Sequence, residues 1–125
     1  GEGEVQGEGL KKGKRITLCG STKFKREFDA MNKQLTLEGN IVYSVCAFGH
    51  ADNIKYTPEQ KQLLDEVHKR KIDNSDAIFV IDVDGYIGES TRSEIEHATK
   101  TGKTIRYLSD SPDLVTLCDW ATIKI

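Results

Sequence analysis

The run Ala77-Ile78-Phe79-Val80-Ile81-Asp82-Val83 decides the fold. It is apolar at every position until Asp82, so it has no face to turn toward water and reads as a central parallel strand covered on both sides. A parallel neighbour can be reached only through a crossover, usually a helix. The flanks supply such helices. Upstream, Thr57-Pro58-Glu59-Gln60 combines a threonine cap, a proline at the first helical position and a glutamine with capping-box spacing. Leu64, Val67 and Ile72 then predict the buried face of that helix. Downstream, residues 84–89 form a loop with Gly85 and Gly88. Ser90 and Thr91 open the next helix, Ile95 and Ala98 face inward, Gly102 ends it, and Thr104 to Leu108 forms another strand.

Working further outward, Ile16 to Cys19 is a short apolar strand ending at Gly20. From Lys23 the period becomes helical, with Phe24, Phe28, Met31 and Leu35 on one face and Gly39 as the C-cap. Ile41 to Val45 is a β-branched strand, and residues 47–57 are a polar loop. In the tail, Leu114 to Trp120 suggests a short helix and Ile123 to Ile125 a fifth, edge strand. The expected fold is one α/β domain over residues 15–125: a doubly wound three-layer sandwich, flavodoxin- or Rossmann-like, with a mainly parallel sheet of four to five strands. Residues 1–14 begin with a glycine- and glutamate-rich stretch without apolar period, and are expected to be a disordered leader.

Composition narrows the function. With 125 residues, a net charge of -2 and a pI near 5.9, the chain lacks the basic character of a nucleic-acid binder. The cluster Lys11, Lys12, Lys14 and Arg15 has no interleaved aromatic residues and reads as a solvated flank. No apolar run approaches the ~20 residues of a membrane span. Cys19, Cys46 and Cys118 are odd in number and include no Cys-x-x-Cys pair. Cys19 and Cys46 lie in apolar runs and are expected to be buried, reduced thiols, which with the absence of a signal-peptide pattern points to the cytoplasm. His50, His68 and His97 lack metal-ligand spacing, so no metal is expected.

In a doubly wound sheet, ligands bind beyond the carboxyl ends of the strands. Three loops meet there: Gly20 to Lys23, Ala47 to Asn53, and Asp82 to Thr91. Gly20-Ser21-Thr22-Lys23 turns a strand into a helix and fits two roles, a phosphate cradle of amides, hydroxyls and one ammonium, or a plain turn with a hydroxyl cap. In the third loop, Glu94 has capping-box spacing from Thr91, which suits a structural carboxylate in the first helical turn. The same placement would aim a carboxylate over the strand edge, toward a cationic sugar carbon. Glu89 is the second acid of this loop, and the hydroxyl-rich Ser90-Thr91-Arg92-Ser93 run suits a phosphate, with Arg92 able to pair with it in two-pronged fashion. Tyr86, Tyr107 and Trp120 could form a base-stacking wall, an interface or core.

At these loops the chain resembles the nucleoside 2-deoxyribosyltransferases and the related deoxynucleoside 5′-monophosphate N-glycosidases. The likeness is carried by Cys19-Gly20-Ser21, by Ile72-Asp73-Asn74-Ser75-Asp76-Ala77-Ile78-Phe79-Val80, and by Glu94-Ile95-Glu96-His97-Ala98 followed by Gly102-Lys103-Thr104-Ile105. It spans most of residues 15–108. It implies cleavage of an N-glycosidic bond without metal or cofactor, with Glu94 as nucleophile and an acidic partner for which Glu89 is the candidate. It also implies a small-molecule nucleoside or nucleotide as ligand and a homodimer or larger homo-oligomer. The implied substrate-binding set is Cys19, Gly20, Ser21, Thr22 and Lys23 in the first loop, His50 in the second, and Asp82, Tyr86, Gly88, Ser90, Thr91 and Arg92 in the third, with His68 on the intervening helix. Gly88 and His68 stand where the transferases carry aspartates, and Thr17 stands where the first strand usually has an aromatic residue. A non-catalytic nucleotide sensor and a purely structural domain are the alternatives.

Overall fold

The computed structural model describes residues 13–49 and 52–124. Four strands, β1 (Arg15–Gly20), β2 (Ile41–Tyr43), β3 (Ala77–Ile81) and β4 (Thr104–Tyr107), form one sheet in the order β2-β1-β3-β4 with every pairing parallel. Helices α1 (Lys25–Leu37), α2 (Pro58–Asp73), α3 (Glu89–Lys100) and α4 (Pro112–Lys124) make the crossovers and the tail. Helices α1 and α4 pack together on one face, α2 and α3 on the other, giving the three-layer α/β sandwich.

Side-chain alternation along the strands splits the core in two. Ile16, Leu18, Ala77, Phe79 and Ile81 face α1 and α4, where Phe28, Met31, Leu35, Leu108 and Cys118 meet them. Cys19, Ile78 and Val80 face α2 and α3, where they meet Ile72 and Ala98. Thr17, also on that face, is fully buried but satisfied. Its hydroxyl lies 2.5 Å from that of Ser75, which in turn donates to the Lys71 carbonyl at 2.8 Å. The buried hydroxyl of Thr17 therefore leaves no unpaired group.

The sequence rules hold at the start of α2 and just beyond the ends of α1 and α3. Thr57 caps α2, accepting from the Gln60 amide at 3.1 Å while the Gln60 side chain accepts from the Thr57 amide at 3.0 Å. Thr57→Ala is expected to cost about 1 kcal/mol in urea unfolding, the usual worth of such a cap. Gly39 and Gly102 follow α1 and α3 at φ 95° and 72°, the left-handed conformation that glycine adopts freely.

Several expectations are corrected. No fifth strand forms among the described residues: α4, started by Pro112, continues through Ile123 to Lys124, and Ile125 lies outside them. β2 stops at Tyr43, where its pairing with β1 ends, so Cys46 sits in the following loop and is exposed rather than buried. Lys14, assigned to the leader, belongs to the domain: its carbonyl accepts from Ile41 at 2.9 Å and its amide donates to Asn40 at 2.9 Å. Leu64 and Val67 are only half-buried, since on α2 it is His68 and Ile72 that reach the interior. Among the described residues, no helix is long and apolar enough to cross a membrane.

Candidate functional site

In the order β2-β1-β3-β4 the chain leaves β1 toward one edge and β3 toward the other, so a crevice opens between the carboxyl ends of β1 and β3. A cavity of about 670 Å³ occupies it, a volume typical of small-molecule sites. Gly20 makes the entrance possible: a Cβ there would lie 2.8 Å from the Ile81 carbonyl oxygen, so only glycine lets β1 end flush against β3. Ser21 and Thr22 continue from it along the cavity wall.

The opposite wall is the start of α3, reached through a tight turn at Asp84 and Gly85. The helix begins at Glu89 with Gly88 as its cap, which brings no side chain to the first amides. This overturns the capping-box assignment of Thr91 and Glu94. Thr91 is already three residues inside the helix, and Glu94 belongs to the second turn. Thr91, Glu94 and Ala98 form the buried stripe of α3 at helical spacing. Glu94 thus takes a place that the period reserves for an apolar residue. It lines the same cavity as Ser21, at 8% exposure.

A buried carboxylate without a salt-bridge cation is costly, and the protein adjusts its acidity instead. Burial raises the Glu94 carboxyl to about 7; a hydrogen bond from Cys19 and the charge of Lys69 pull the other way, while Asp65 adds to the rise. His68 Nε2 lies 3.8 Å from Glu94 Oε1 but is no counter-ion at neutral pH. Burial and the nearby Lys71 lower the ring to about 4, so it is neutral. Its Nε2 is 3.0 Å from the Leu18 carbonyl, an acceptor only, so that nitrogen carries the proton and donates there.

Cys19 completes a buried cluster. Its sulfur is 3.7 Å from His68 Nε2, and the ligating atoms of Cys19, His68 and Glu94 all lie within 4.8 Å of one another. These are residue types that bind zinc. The His68 nitrogen facing the cluster presents N–H rather than a lone pair, however, and burial, with Glu94 beside it, raises the Cys19 thiol well above its ordinary range.

The remaining expected residues divide. Gly20, Ser21, Thr22, His68, Tyr86, Gly88, Ser90, Thr91, Glu89 and Glu94 share the cavity lining. Glu89 is exposed at the first helical position, five residues from Glu94 and so on a different helix face, which leaves it at the mouth. Lys23 lies over the Tyr86 ring at 3.6 Å from its centroid, bracing the rim rather than entering the cavity. Asp82 is removed from the site: its buried carboxylate accepts from the Ser109 amide at 2.9 Å and hydroxyl at 2.6 Å, tying the end of β3 to the turn after β4. Arg92 is exposed and outside the lining, on the side of α3 turned away from the sheet. Cys19 lies behind the lining rather than in it. His50 lies outside the described residues.

Of the α2 wall, sequence reasoning expected only His68. Lys61, Leu64, Asp65, His68 and Lys71 all line the cavity. Their spacings of three, one, three and three place them on one helix face. That mixed polar stripe was the available signal. Lys71 is anchored by donating to the Ser44 carbonyl at 2.6 Å. Tyr56 and Ile54 close the far side from the loop after β2. No protein-family model matches the chain, and no curated protein matches it.

Proposed function

We propose that this chain cleaves the N-glycosidic bond of a nucleoside 5′-monophosphate or nucleoside, with Glu94 as nucleophile. The observation that carries the reading is a buried carboxylate, titrating near 7, in the same cavity as an α3 amino end that no side chain caps. The α3 amides, with the hydroxyls of Ser21, Thr22 and Ser90, suit a phosphate. Lys55, Lys61 and Lys71 bring positive charge to the same space. The apolar stretch of Val45, Ile54, Tyr56, Leu64 and Val67 suits a base.

In the reaction, one Glu94 oxygen bonds to the anomeric carbon as the carbon–nitrogen bond breaks. The bonding pair leaves with the base, which takes a proton from solvent. Water then attacks the same carbon, the carbon–oxygen bond to Glu94 breaks, and the carboxylate is regenerated as the water proton returns to solvent. A second base in place of water gives transfer. No step calls on a metal or cofactor.

Incubation with a panel of deoxynucleosides and their monophosphates, followed by chromatography for free base, tests the reading. Release from monophosphates is expected to be the faster. Ser90→Ala is expected to raise KM for a monophosphate about tenfold, the worth of one charge-assisted hydrogen bond, and to leave the nucleoside KM unchanged. Calorimetric binding of a monophosphate with no base released would instead favour a nucleotide sensor.

A further inference from the structure

Among the described residues, the side chains grouped closely enough to hold a metal ion are Cys19, His68 and Glu94. They come from β1, α2 and α3, so their separation along the chain hides the set from any reading of ligand spacing. All three are buried. The Cys19 sulfur is 3.7 Å from His68 Nε2, and Glu94 Oε1 is 3.8 Å from the same nitrogen. No two of the three ligand atoms are more than 4.8 Å apart. Around a tetrahedral zinc ion, bonds of about 2.3 Å to sulfur and about 2.0–2.1 Å to nitrogen or oxygen hold neighbouring ligand atoms roughly 3.4–3.6 Å apart. The two edges at His68 therefore need to close by only a few tenths of an ångström, and the third closes if the carboxylate turns toward the sulfur.

Charge favours the same occupant. Glu94 is a buried carboxylate with only the neutral His68 ring in salt-bridge range. A dication held by one carboxylate, one thiolate and one neutral imidazole is uncharged as a whole, which is what a buried cluster requires. One sulfur, one nitrogen and one oxygen suit zinc, and not magnesium or calcium, which take oxygen. Cys19 lies behind the cavity that His68 and Glu94 line, so a fourth position would face the cavity and its water.

We infer that Cys19, His68 and Glu94 form a zinc site at the floor of the cavity, and that a bound ion takes the carboxylate that would otherwise attack the sugar. The site stands on the geometry; only the inhibition rests on the proposed glycosidase reading. On binding, the Cys19 thiol proton goes to solvent and the sulfur bonds to the ion. The His68 proton passes through solvent from Nε2 to Nδ1, and the freed Nε2 lone pair bonds to the ion. Nothing is oxidised or reduced. His68 gives up its 3.0 Å bond to the Leu18 carbonyl in exchange. That loss, with three protein ligands in place of four, holds the expected Kd near about 1 μM.

Cobalt(II) tests the site in the full chain, because a thiolate bound to it gives a near-ultraviolet charge-transfer band. The parent is expected to show that band at a single cobalt per chain and to lose it when zinc is added. It should also unfold at higher temperature with zinc but not with magnesium. Cys46 is exposed and lines the same cavity, so it is the competing thiol. Cys46→Ser should keep the band and Cys19→Ser should abolish it. Glu94→Gln, which keeps the side-chain shape and both thiols, should weaken zinc binding at least about tenfold, a readout that needs no Cys19 variant to fold. A band that follows Cys46, no band at all, or zinc binding indifferent to Glu94→Gln overturns the inference, whatever is found for base release. So does zinc that binds the parent and leaves base release intact. Zinc held through Cys19 and Glu94, stopping base release until a chelator restores it, sustains the inference. If zinc binds in this way and the metal-free chain cleaves no nucleoside or nucleotide, the site stands and it is the glycosidase reading that falls.

Discussion

Glu94→Gln is expected to lower kcat for base release at least about a thousand-fold and, in the same molecule, to raise stability at pH 8 by up to about 3 kcal/mol. Both effects come from one fact: the carboxylate is buried and titrates near 7 instead of near 4.5. Its folded-state value lies above its unfolded value, so the folded chain binds the extra proton between those limits. The stability this group contributes is fully present below about pH 4.5 and is lost as pH rises through about 7. At pH 8 the parent chain therefore carries the burden of a buried anion, and the neutral amide removes it. Urea unfolding at pH 4.5 and pH 8 checks the sign: the variant should gain little at the lower pH and most at the higher. Base release in the parent should rise with pH along an acid limb near 7 and then level off. A variant that retains turnover, or one destabilised at pH 8, contradicts the assignment.

Between about pH 4.5 and 6.5, His68 and Glu94 are expected to cancel each other in the pH dependence of stability. His68 has a folded-state value near 4, below its ordinary 6.5. In that window the unfolded chain holds a proton on His68 that the folded chain lacks, and the folded chain holds one on Glu94 that the unfolded chain lacks. The difference in bound protons is zero, so together the two give no slope. Each single substitution should expose the other group. In its own pH curve, His68→Gln should show stability falling by about 3 kcal/mol from pH 4.5 to 7, and Glu94→Gln should show it rising by about 3 kcal/mol from pH 4 to 6.5. The slope is the readout, so any constant offset from altered packing drops out. Parallel pH curves for parent and variants would contradict the paired titration.

What the sequence disclosed, and what it hid, follows from the range of the forces involved. The wholly apolar run at Ala77–Ile81 could only be a central strand, and the capping box at Thr57 and Gln60 is chemistry within four residues; both appear as read. The loops expected at the site do converge on one cavity, because sheet order follows from crossover handedness. The errors arise where local signals compete with tertiary context. Thr91 and Glu94 have capping-box spacing, yet the helix starts earlier, at Glu89, and the interior claims both residues. Asp82 sits where a site residue would be expected, but its partner Ser109 lies 27 positions away and leaves no local trace. The polar face of α2 from Lys61 to Lys71 was masked by Leu64 and Val67, whose apolarity reads as core although they border the cavity.

The alternation along β1 has a consequence for engineering the protein. Neighbouring residues on that strand serve separate ends: Leu18 belongs to the wholly apolar half of the interior, and Cys19 to the half holding His68 and Glu94. Repacking beneath α1 and α4, for instance around Met31 and Leu35, offers a route to greater heat resistance that leaves the buried polar cluster alone. Changes one position along the strand reach the His68 and Glu94 cluster directly. The sheet acts as a partition, letting robustness and the polar cluster be tuned from opposite sides.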